Sequence, residues 1–291
     1  MSKCLIAILL CGLCGTASAE ALNPQAYGLL KSIYSYDQSY PLNARIVGTF
    51  THGAATFEKL VFDSFHDGRV PGLLALPPEG EGPFPVVLLL HGLTGNKSQW
   101  LEDDFTHGGE LSAALLQQGY AVLALDAQYH GDRAVYNDHI DAGEMVFKRG
   151  WGVRYANMLT QSVVDYRRAI DYLATRDDID SSRIGLVGYS MGGHMAFILG
   201  AVEERIQATV ACVVPHSAGM PMAAAAFARD MGADPLLLLM AKNDQFYSVD
   251  EAMALFDAVP GDVKTIRFYD SGHSLPAGYT ADAVQWLQGK L

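Results

Sequence analysis

The sequence predicts an α/β fold built on a mostly parallel central sheet. From Phe84 onward, short apolar runs rich in β-branched residues alternate with longer segments of helical period, the pattern of parallel strands joined by helices. Most of these runs are apolar throughout, which predicts that helices cover both faces of the sheet. Six runs are candidate strands: 84–92, 120–127, 183–189, 208–214, 235–241 and 263–270.

The longest candidate helix covers residues 157–174. Its apolar residues are spaced alternately four and three apart, which forms one buried stripe along a helix. The stripe consists of Leu159, Val163, Tyr166, Ile170 and Leu173. Arg167 and Arg168 lie off this stripe and are expected to face water. Four further segments have helical period: 109–118, 191–202, 249–258 and 280–291.

The residues before Phe84 extend the same domain. Segments 58–64 and 69–77 predict an antiparallel pair at the edge of the sheet, which brings the sheet to about eight strands. Residues 20–50 are rich in Tyr and Asn and have no clear period, so we expect an arm across the body. Because no repeat or Gly/Ser/Pro-rich linker interrupts the chain, residues 20–291 are predicted to form a single domain.

The first 19 residues predict a secretory signal peptide. Lys3 precedes an apolar run at 4–14, and the Ala-Ser-Ala at 17–19 is typical of a cleavage site. A membrane-spanning helix needs about 20 apolar residues, which is more than this run supplies. We therefore expect cleavage after Ala19, export to the periplasm or the medium, and no membrane insertion of the mature chain. A lipid anchor on a cysteine of the run is the alternative.

Composition narrows the possible classes of function. Half of the 291 residues are hydrophobic, and the net charge of −12 opposes general attraction to nucleic acid or anionic membranes. The nine histidines form no H-E-x-x-H pair. The segment GLTGNKS at 92–98 lacks the adjacent Gly-Lys of a phosphate loop. We expect no metal, no cofactor and no nucleic-acid partner; these features leave the oligomeric state open.

Glycines surround Ser190 in the segment VGYSMGGHMA. The serine directly follows a candidate strand and precedes a candidate helix that begins at Met191. A serine on such a sharp turn has a strained backbone, and Gly188 and Gly192 remove side chains that would collide there. The turn is expected to point the hydroxyl out of the sheet, beside the free N–H groups of the helix.

The motif Gly188-Tyr189-Ser190-Met191-Gly192 resembles the G-x-S-x-G nucleophile elbow of the α/β-hydrolase superfamily. The stretches DAQYHGDR, DYLATRDDID and RIGLVGYSMGG are similar to its dienelactone-hydrolase-like and acetyl-xylan-esterase-like branch, over roughly residues 70–291. The resemblance implies an α/β-hydrolase fold and the chain order serine, acid, histidine. Dienelactone hydrolases carry cysteine where this chain has serine, so their substrate is not implied. The resemblance also implies that 126–133 shapes the site entrance; a structural salt bridge is the alternative.

Two loops supply the expected acid and base. Asp244 and His273 each follow a candidate strand, at the carboxyl edge where open α/β sheets bind ligands. Asp250 and Asp270 are weaker candidates for the acid. His216 is the weaker candidate for the base. His194 lies inside the helix after the elbow and is expected to be a packed or capping residue.

The negative oxygen formed by attack on a carbonyl needs hydrogen-bond donors. The elbow supplies the backbone N–H of Met191. By the resemblance, the second donor is the backbone N–H of Leu93, after the His91-Gly92 pair. His91 is expected either to line the substrate site or to brace this loop.

The remaining site residues concern the substrate. Tyr189 and His216 are expected to line the pocket. Residues 215–234 are predicted to form a small lid-like insertion, in which Met220, Met222 and Met231 form an apolar acyl wall; a short helix packed on the body is the alternative. Together, the serine elbow, the expected acid and base, and the small size of this insertion predict a serine carboxylesterase for short to medium acyl esters of small molecules or saccharides. A prolyl-oligopeptidase-like peptidase and an inactive binding protein are the alternative functions.

Overall fold

Nine strands form one sheet through the centre of the protein. The computed structural model describes residues 22–65, 68–217, 220 and 222–291, so the predicted signal peptide at 1–19 lies outside the described residues. The strands are β1 (Arg45–His52), β2 (Ala55–Asp63), β3 (Arg69–Ala75), β4 (Phe84–Leu90), β5 (Ala121–Leu125), β6 (Ile179–Tyr189), β7 (Ile206–Cys212), β8 (Leu236–Ala241) and β9 (Lys264–Tyr269).

The sheet order is β1-β2-β3-β5-β4-β6-β7-β8-β9. In this order, the first three neighbouring pairs, from β1 across to β5, are antiparallel. The remaining pairs, from β5 through β4 and across to β9, are parallel. Every residue of β5 and of β8 is buried, as their continuous apolar runs predict. The fold class is the predicted one, with nine strands instead of about eight.

The additional strand is β1, which lies within the segment predicted to be an arm. Seven of its eight residues are exposed, and it pairs only with β2. A strand with two exposed faces has no alternation of apolar and polar residues, so its sequence gives no period-2 signal. The remainder of the arm contains a helix that begins at Pro24, with the side chain of Asn23 capping its first turn.

In the part of the chain that the structure describes, seven α-helices surround the sheet. They are α1 (Pro24–Ser32), α2 (Gly108–Gln117), α3 (Gly152–Leu173), α4 (Met191–Val202), α5 (Ala224–Phe227), α6 (Val249–Ala258) and α7 (Gly278–Gln288). Short 3₁₀ helices occur at Lys97–Leu101, Gly131–Asn137 and Ala228–Ala233, and a π-helix at Glu144–Lys148. Among the described residues, no helix has both the length and the apolar character needed to cross a membrane.

The expectation that Arg168 faces water is wrong. Its side chain is 1% exposed, and its guanidinium donates to the backbone oxygens of Asp63 and Pro41 at 2.9 and 3.0 Å. These contacts tie α3 to the end of β2 and to the segment before β1. The helical stripe could not indicate this burial because the covering residues come from a distant part of the chain.

Candidate active site

The elbow at Ser190 has the strained geometry that its glycines predict. β6 ends at Tyr189, α4 begins at Met191, and Ser190 between them has φ of 57° and ψ of −114°. A Cβ on Gly188 would overlap the backbone oxygen of Gly192, and a Cβ on Gly192 would overlap that of Leu90. Because these neighbours are backbone atoms of the core, they cannot move aside. Glycine is required at both positions for this turn to form.

Ser190, His273 and Asp244 form one chain of hydrogen bonds. His273 Nε2 lies 2.8 Å from Ser190 Oγ, and His273 Nδ1 lies 2.7 Å from Asp244 Oδ2. Since an ionised carboxylate only accepts hydrogen bonds, Nδ1 carries the proton of a neutral imidazole. Nε2 is then free to accept the hydroxyl proton of Ser190. The three predicted residues are therefore brought together in the predicted order.

The sheet brings these residues together. Ser190 follows β6, Asp244 follows β8, and His273 lies in the loop after β9, so all three occupy the carboxyl edge of the parallel strands. The carboxylate of Asp244 is fully buried and accepts a second hydrogen bond, of 2.9 Å, from the backbone N–H of Phe246. Two donors thus fix the orientation of this carboxylate.

The weaker candidates lie elsewhere. Asp250 is in the first turn of α6, and Asp270 is exposed and accepts a hydrogen bond from the side chain of Asn243 at 3.1 Å. His194 is fully buried in α4, with Nε2 lying 2.7 Å from the backbone oxygen of Met222. His194 is therefore a packed residue, which was one of its two predicted roles.

Tyr189 does not line a pocket, contrary to the prediction. Its side chain is 1% exposed, and its hydroxyl donates to the backbone oxygen of His273 at 2.9 Å. The same hydroxyl accepts from the backbone N–H of Leu275, also at 2.9 Å. Burial raises the pKa of Tyr189, so the hydroxyl keeps its proton for this contact. Tyr189 holds the loop that carries His273.

The two predicted oxyanion donors belong to the elbow and to a loop close to it. Met191 is the first residue of α4, where a backbone N–H has no acceptor within the helix. The loop of Leu93 is close to the elbow, because a Cβ on Gly92 would lie 3.7 Å from Ser190 Cβ. The side chain of Gln99 accepts from the Gly92 N–H at 3.1 Å.

His91 braces this loop and is not a substrate-lining residue. Its ring is fully buried, with Nδ1 lying 2.8 Å from the backbone oxygen of Gly92. The backbone N–H of Ala127 donates to His91 Nε2 at 3.0 Å, so both ring nitrogens are used within the protein. Burial, helped by the neighbouring His130, holds the pKa of His91 well below its ordinary value.

The contacts of His216 are with α6 and with Phe246. Its Nε2 lies 3.4 Å from Glu251 Oε1, and the ring is part exposed. Its backbone N–H donates to the Phe246 oxygen at 3.1 Å. The prediction that His216 lines the pocket is therefore not supported by its contacts.

The segment predicted as a lid-like insertion is packed on the body over its described part. Phe227 of α5 is fully buried, and the rings of Tyr27 and Tyr34 contact it at centroid distances of 6.1 and 5.7 Å. Lys31 of α1 forms an ion pair of 2.8 Å with Asp230. The arm therefore anchors this segment, which favours the packed-helix alternative.

The predicted methionine wall is not formed. Met222 is 8% exposed, and Met231 is 1% exposed and packs against Gly200 of α4. Met220 is partly buried and packs against the core. The two buried methionines are part of the core and are not available to an acyl chain.

The stretch 126–133 forms a buried ionic network. Arg133, which is 1% exposed, pairs with Asp165 at 2.6 Å, and Asp126 pairs with Lys97 at 2.7 Å. Lys97 also contacts Asp132 at 2.8 Å. This is the structural salt bridge that the sequence left open as an alternative.

Several residues at the site were not predicted. The ring of Phe246 packs edge-on against His273 at 4.6 Å, and Phe105 lies 6.2 Å from the same imidazole. His130 Nε2 lies 2.7 Å from the backbone oxygen of Leu93. The position of Phe246, two residues after the predicted acid, could have indicated its role. The sequence around Phe105 carries no such signal.

Within the described ranges, no cluster of His, Cys, Asp and Glu could hold a metal ion.

The sheet topology and the strained serine elbow are those of the α/β-hydrolase fold. The family model described as the dienelactone hydrolase family matches residues 70–283. The chain belongs to that family.

Known proteins that resemble the chain are named as hydrolases and esterases. The Bacillus subtilis hydrolase YtaP is 31% identical over 164 residues, which cover 53% of this chain and 51% of YtaP. The match thus spans about half the length of that relative. A cold-adapted esterase from an Arctic intertidal metagenomic library has a TM-score of 0.67 at 21% identity, covering 88% of this chain and 99% of that chain. Acetyl xylan esterase from Paenibacillus sp. R4 has a TM-score of 0.70 at 17% identity, covering 91% and 93%.

Proposed function

We propose that the protein is a serine carboxylesterase that hydrolyses short to medium acyl esters of small molecules or saccharides. The observation that carries the proposal is the chain of hydrogen bonds of 2.8 and 2.7 Å from Ser190 through His273 to Asp244. A serine hydroxyl alone is a poor nucleophile, and a base oriented by a carboxylate activates it. The names of the similar esterases agree with this class of substrate.

In the first half of the reaction, Ser190 Oγ attacks the ester carbonyl carbon while its proton passes to His273 Nε2. The negative charge on the carbonyl oxygen is stabilised by the backbone N–H groups of Met191 and Leu93. The carbon–oxygen bond to the alcohol then breaks, and His273 Nε2 gives its proton to the leaving oxygen. The acyl group remains on Ser190.

In the second half, water attacks the acyl-enzyme and His273 accepts its proton. The bond to Ser190 Oγ breaks, the proton returns to Oγ, and the carboxylic acid leaves. Asp244 keeps the imidazole in the tautomer that can accept a proton at Nε2 and stabilises its positive charge.

A Ser190→Ala variant tests the proposal with p-nitrophenyl acetate. Wild type is expected to hydrolyse this ester, and the variant is expected to lose turnover, because removal of a triad member costs several orders of magnitude. Ser39→Ala removes the hydroxyl of an exposed serine and serves as the matched control. Equal rates in wild type and Ser190→Ala would contradict the proposal. Inactivity of wild type toward all esters would favour the inactive binding protein.

A series of nitrophenyl esters with increasing acyl length, measured beside a peptide amide, separates the esterase from the peptidase. We expect the highest kcat/KM with short acyl chains and little cleavage of the amide. Preferential cleavage of the amide would favour the prolyl-oligopeptidase-like alternative.

We also propose that the chain is exported and that its first 19 residues are removed. The support is the sequence pattern of a charged residue, an apolar run and a small-residue cleavage site. Mass spectrometry of protein recovered from the periplasm or medium of an expressing bacterium is expected to give an N-terminus at Glu20. Recovery of the uncleaved chain from the cytoplasm would contradict this.

A further inference from the structure

Two large aromatic side chains stand exposed, one beside His273 and one beside Phe246, whose ring contacts His273. Phe105 is 52% exposed and Phe147 is 61% exposed, whereas aromatic rings are normally among the most buried groups of a protein. Leaving such rings in water forgoes the free energy of burying their apolar area. Their place beside the site indicates that a bound molecule covers them.

The structure holds Phe105 in place. Ser274 Oγ, in the loop next to His273, donates to the backbone oxygen of Phe105 at 2.6 Å. The hydroxyl of Tyr279 in α7 donates to the backbone oxygen of the next residue, Thr106. A ring whose backbone is held at two successive carbonyl groups loses less conformational entropy when it binds a ligand.

Phe147 reaches the imidazole through Phe246. The ring of Phe246 contacts His273 edge-on at 4.6 Å, and the ring of Phe147 stacks on Phe246 at 6.0 Å with an interplanar angle of 23°. Phe147 lies in the π-helix Glu144–Lys148, a rare element that occurs frequently at functional sites. Phe105 and Phe246 thus contact the imidazole of His273, and Phe147 extends this group through Phe246; we call the three phenylalanines the ring subsite.

The chemistry of the proposed reaction assigns this side to the alcohol. His273 Nε2 must lie next to the leaving oxygen in order to protonate it, so the alcohol portion of the ester lies beside the imidazole. The ring subsite is adjacent to that imidazole. Aromatic groups prefer to contact other rings at centroid distances of about 4.5–7 Å, in stacked or edge-on arrangements.

We propose that Phe105, Phe147 and Phe246 bind the alcohol portion of the substrate and select alcohols that carry a six-membered ring with an apolar face. Such a ring can be aryl, or it can be the pyranose of a sugar. This inference rests on the proposed esterase function and specifies its substrate class.

A pair of isomeric esters tests the proposal. Benzyl acetate carries the phenyl ring on the alcohol, and methyl phenylacetate carries it on the acid. In Phe105→Ala and Phe147→Ala, the ratio of kcat/KM for benzyl acetate to kcat/KM for methyl phenylacetate is expected to fall about tenfold from its wild-type value, the scale of one lost aromatic contact. An effect of the variant on the position of His273 alters both rates and cancels in this ratio.

Two further variants separate a ring contact from loss of fold. Phe105→Leu keeps an apolar side chain of similar size but lacks a flat face, and is expected to lower the ratio nearly as far as Phe105→Ala. Leu29→Ala truncates an exposed apolar residue of α1, 72% exposed, and is expected to leave the ratio at its wild-type value. Thermal unfolding of each variant checks that the fold is retained.

A second ratio identifies the kind of ring: kcat/KM for a peracetylated methyl xyloside divided by kcat/KM for ethyl acetate. If only the benzyl acetate ratio falls in the variants, the subsite binds an aryl alcohol, and if only the xyloside ratio falls, it binds a sugar. If both ratios fall, it binds either ring. Unchanged ratios in an active enzyme would overturn the ring subsite and leave the esterase function intact. Failure of wild type to hydrolyse any of these esters would overturn the esterase function and the ring subsite with it.

Discussion

Replacing Asp244 with Asn tests whether the carboxylate sets the tautomer of His273. In the wild type, Asp244 Oδ1 accepts from the Phe246 N–H at 2.9 Å and Oδ2 accepts from His273 Nδ1 at 2.7 Å. The Phe246 N–H needs an acceptor, so it orients the oxygen of an asparagine toward itself. The amide NH₂ then faces His273 Nδ1 and forces that nitrogen to accept a hydrogen bond.

The consequence for the reaction follows from the other ring nitrogen. With Nδ1 accepting, the proton of the neutral imidazole moves to Nε2, which lies 2.8 Å from Ser190 Oγ. Nε2 can then no longer take the serine proton. A wrong tautomer of this kind lowers kcat by about 10⁴-fold, which corresponds to about 5.4 kcal/mol of transition-state stabilisation.

The assay is kcat/KM for p-nitrophenyl acetate at neutral pH, with circular dichroism and thermal unfolding to verify the fold. Asp270→Asn makes the same chemical change at an exposed carboxylate near His273 and is expected to keep wild-type activity. A folded Asp244→Asn enzyme that retains more than about a tenth of wild-type kcat/KM would refute the tautomer argument.

Two further predictions concern stability. Burial lowers the pKa of His91, His130 and His194 below the ordinary value. Below about pH 6.5 the unfolded chain therefore binds more protons than the native one, and the free energy of unfolding should fall with decreasing pH by up to about 1.4 kcal/mol per pH unit for each histidine. Urea unfolding at about pH 7.5 and 5.5 measures this, and equal stabilities would contradict it. Gly192→Ala places a Cβ on a backbone oxygen of β4 and is expected to lower the free energy of unfolding by about 3 kcal/mol or more. Gly28→Ala in α1 places its Cβ in open space and is expected to raise the free energy of unfolding by roughly 0.5–1 kcal/mol in the same measurement. A Gly192→Ala protein as stable as wild type would show that the elbow can relax.

The sheet and the three converging residues could be predicted because each depends on local sequence. β4, β5, β8 and the second half of β6 are continuous apolar runs, and the parallel arrangement places the carboxyl ends of the strands at one edge. Ser190 follows β6 directly, and Asp244 and His273 lie in the loops after β8 and β9. The bounds of α4 and α6 agree with the predicted ones, because the elbow fixes the first and the Ser248 capping box begins the second.

The remaining features depend on contacts between distant parts of the chain. β1 has exposed faces and therefore no alternating pattern, and the burial of Arg168 depends on the covering segment around Pro41. The pocket-lining role of Tyr189 was wrong, and of the two roles given for His91 the structure shows the bracing one, because a position beside the elbow does not indicate which way a side chain points. Phe105 comes close to His273 only through the fold of the intervening chain.

The most direct test of the central claim is covalent labelling of the serine. Wild type and Ser190→Ala are incubated with diethyl p-nitrophenyl phosphate, and peptides are analysed by mass spectrometry. An activated Ser190 is expected to carry a diethylphosphoryl group in step with loss of esterase activity, and Ser190→Ala is expected to carry none. An enzyme that is inactivated with the label on another residue, or that hydrolyses esters while Ser190 stays unlabelled, would contradict the claim that this hydroxyl is the nucleophile.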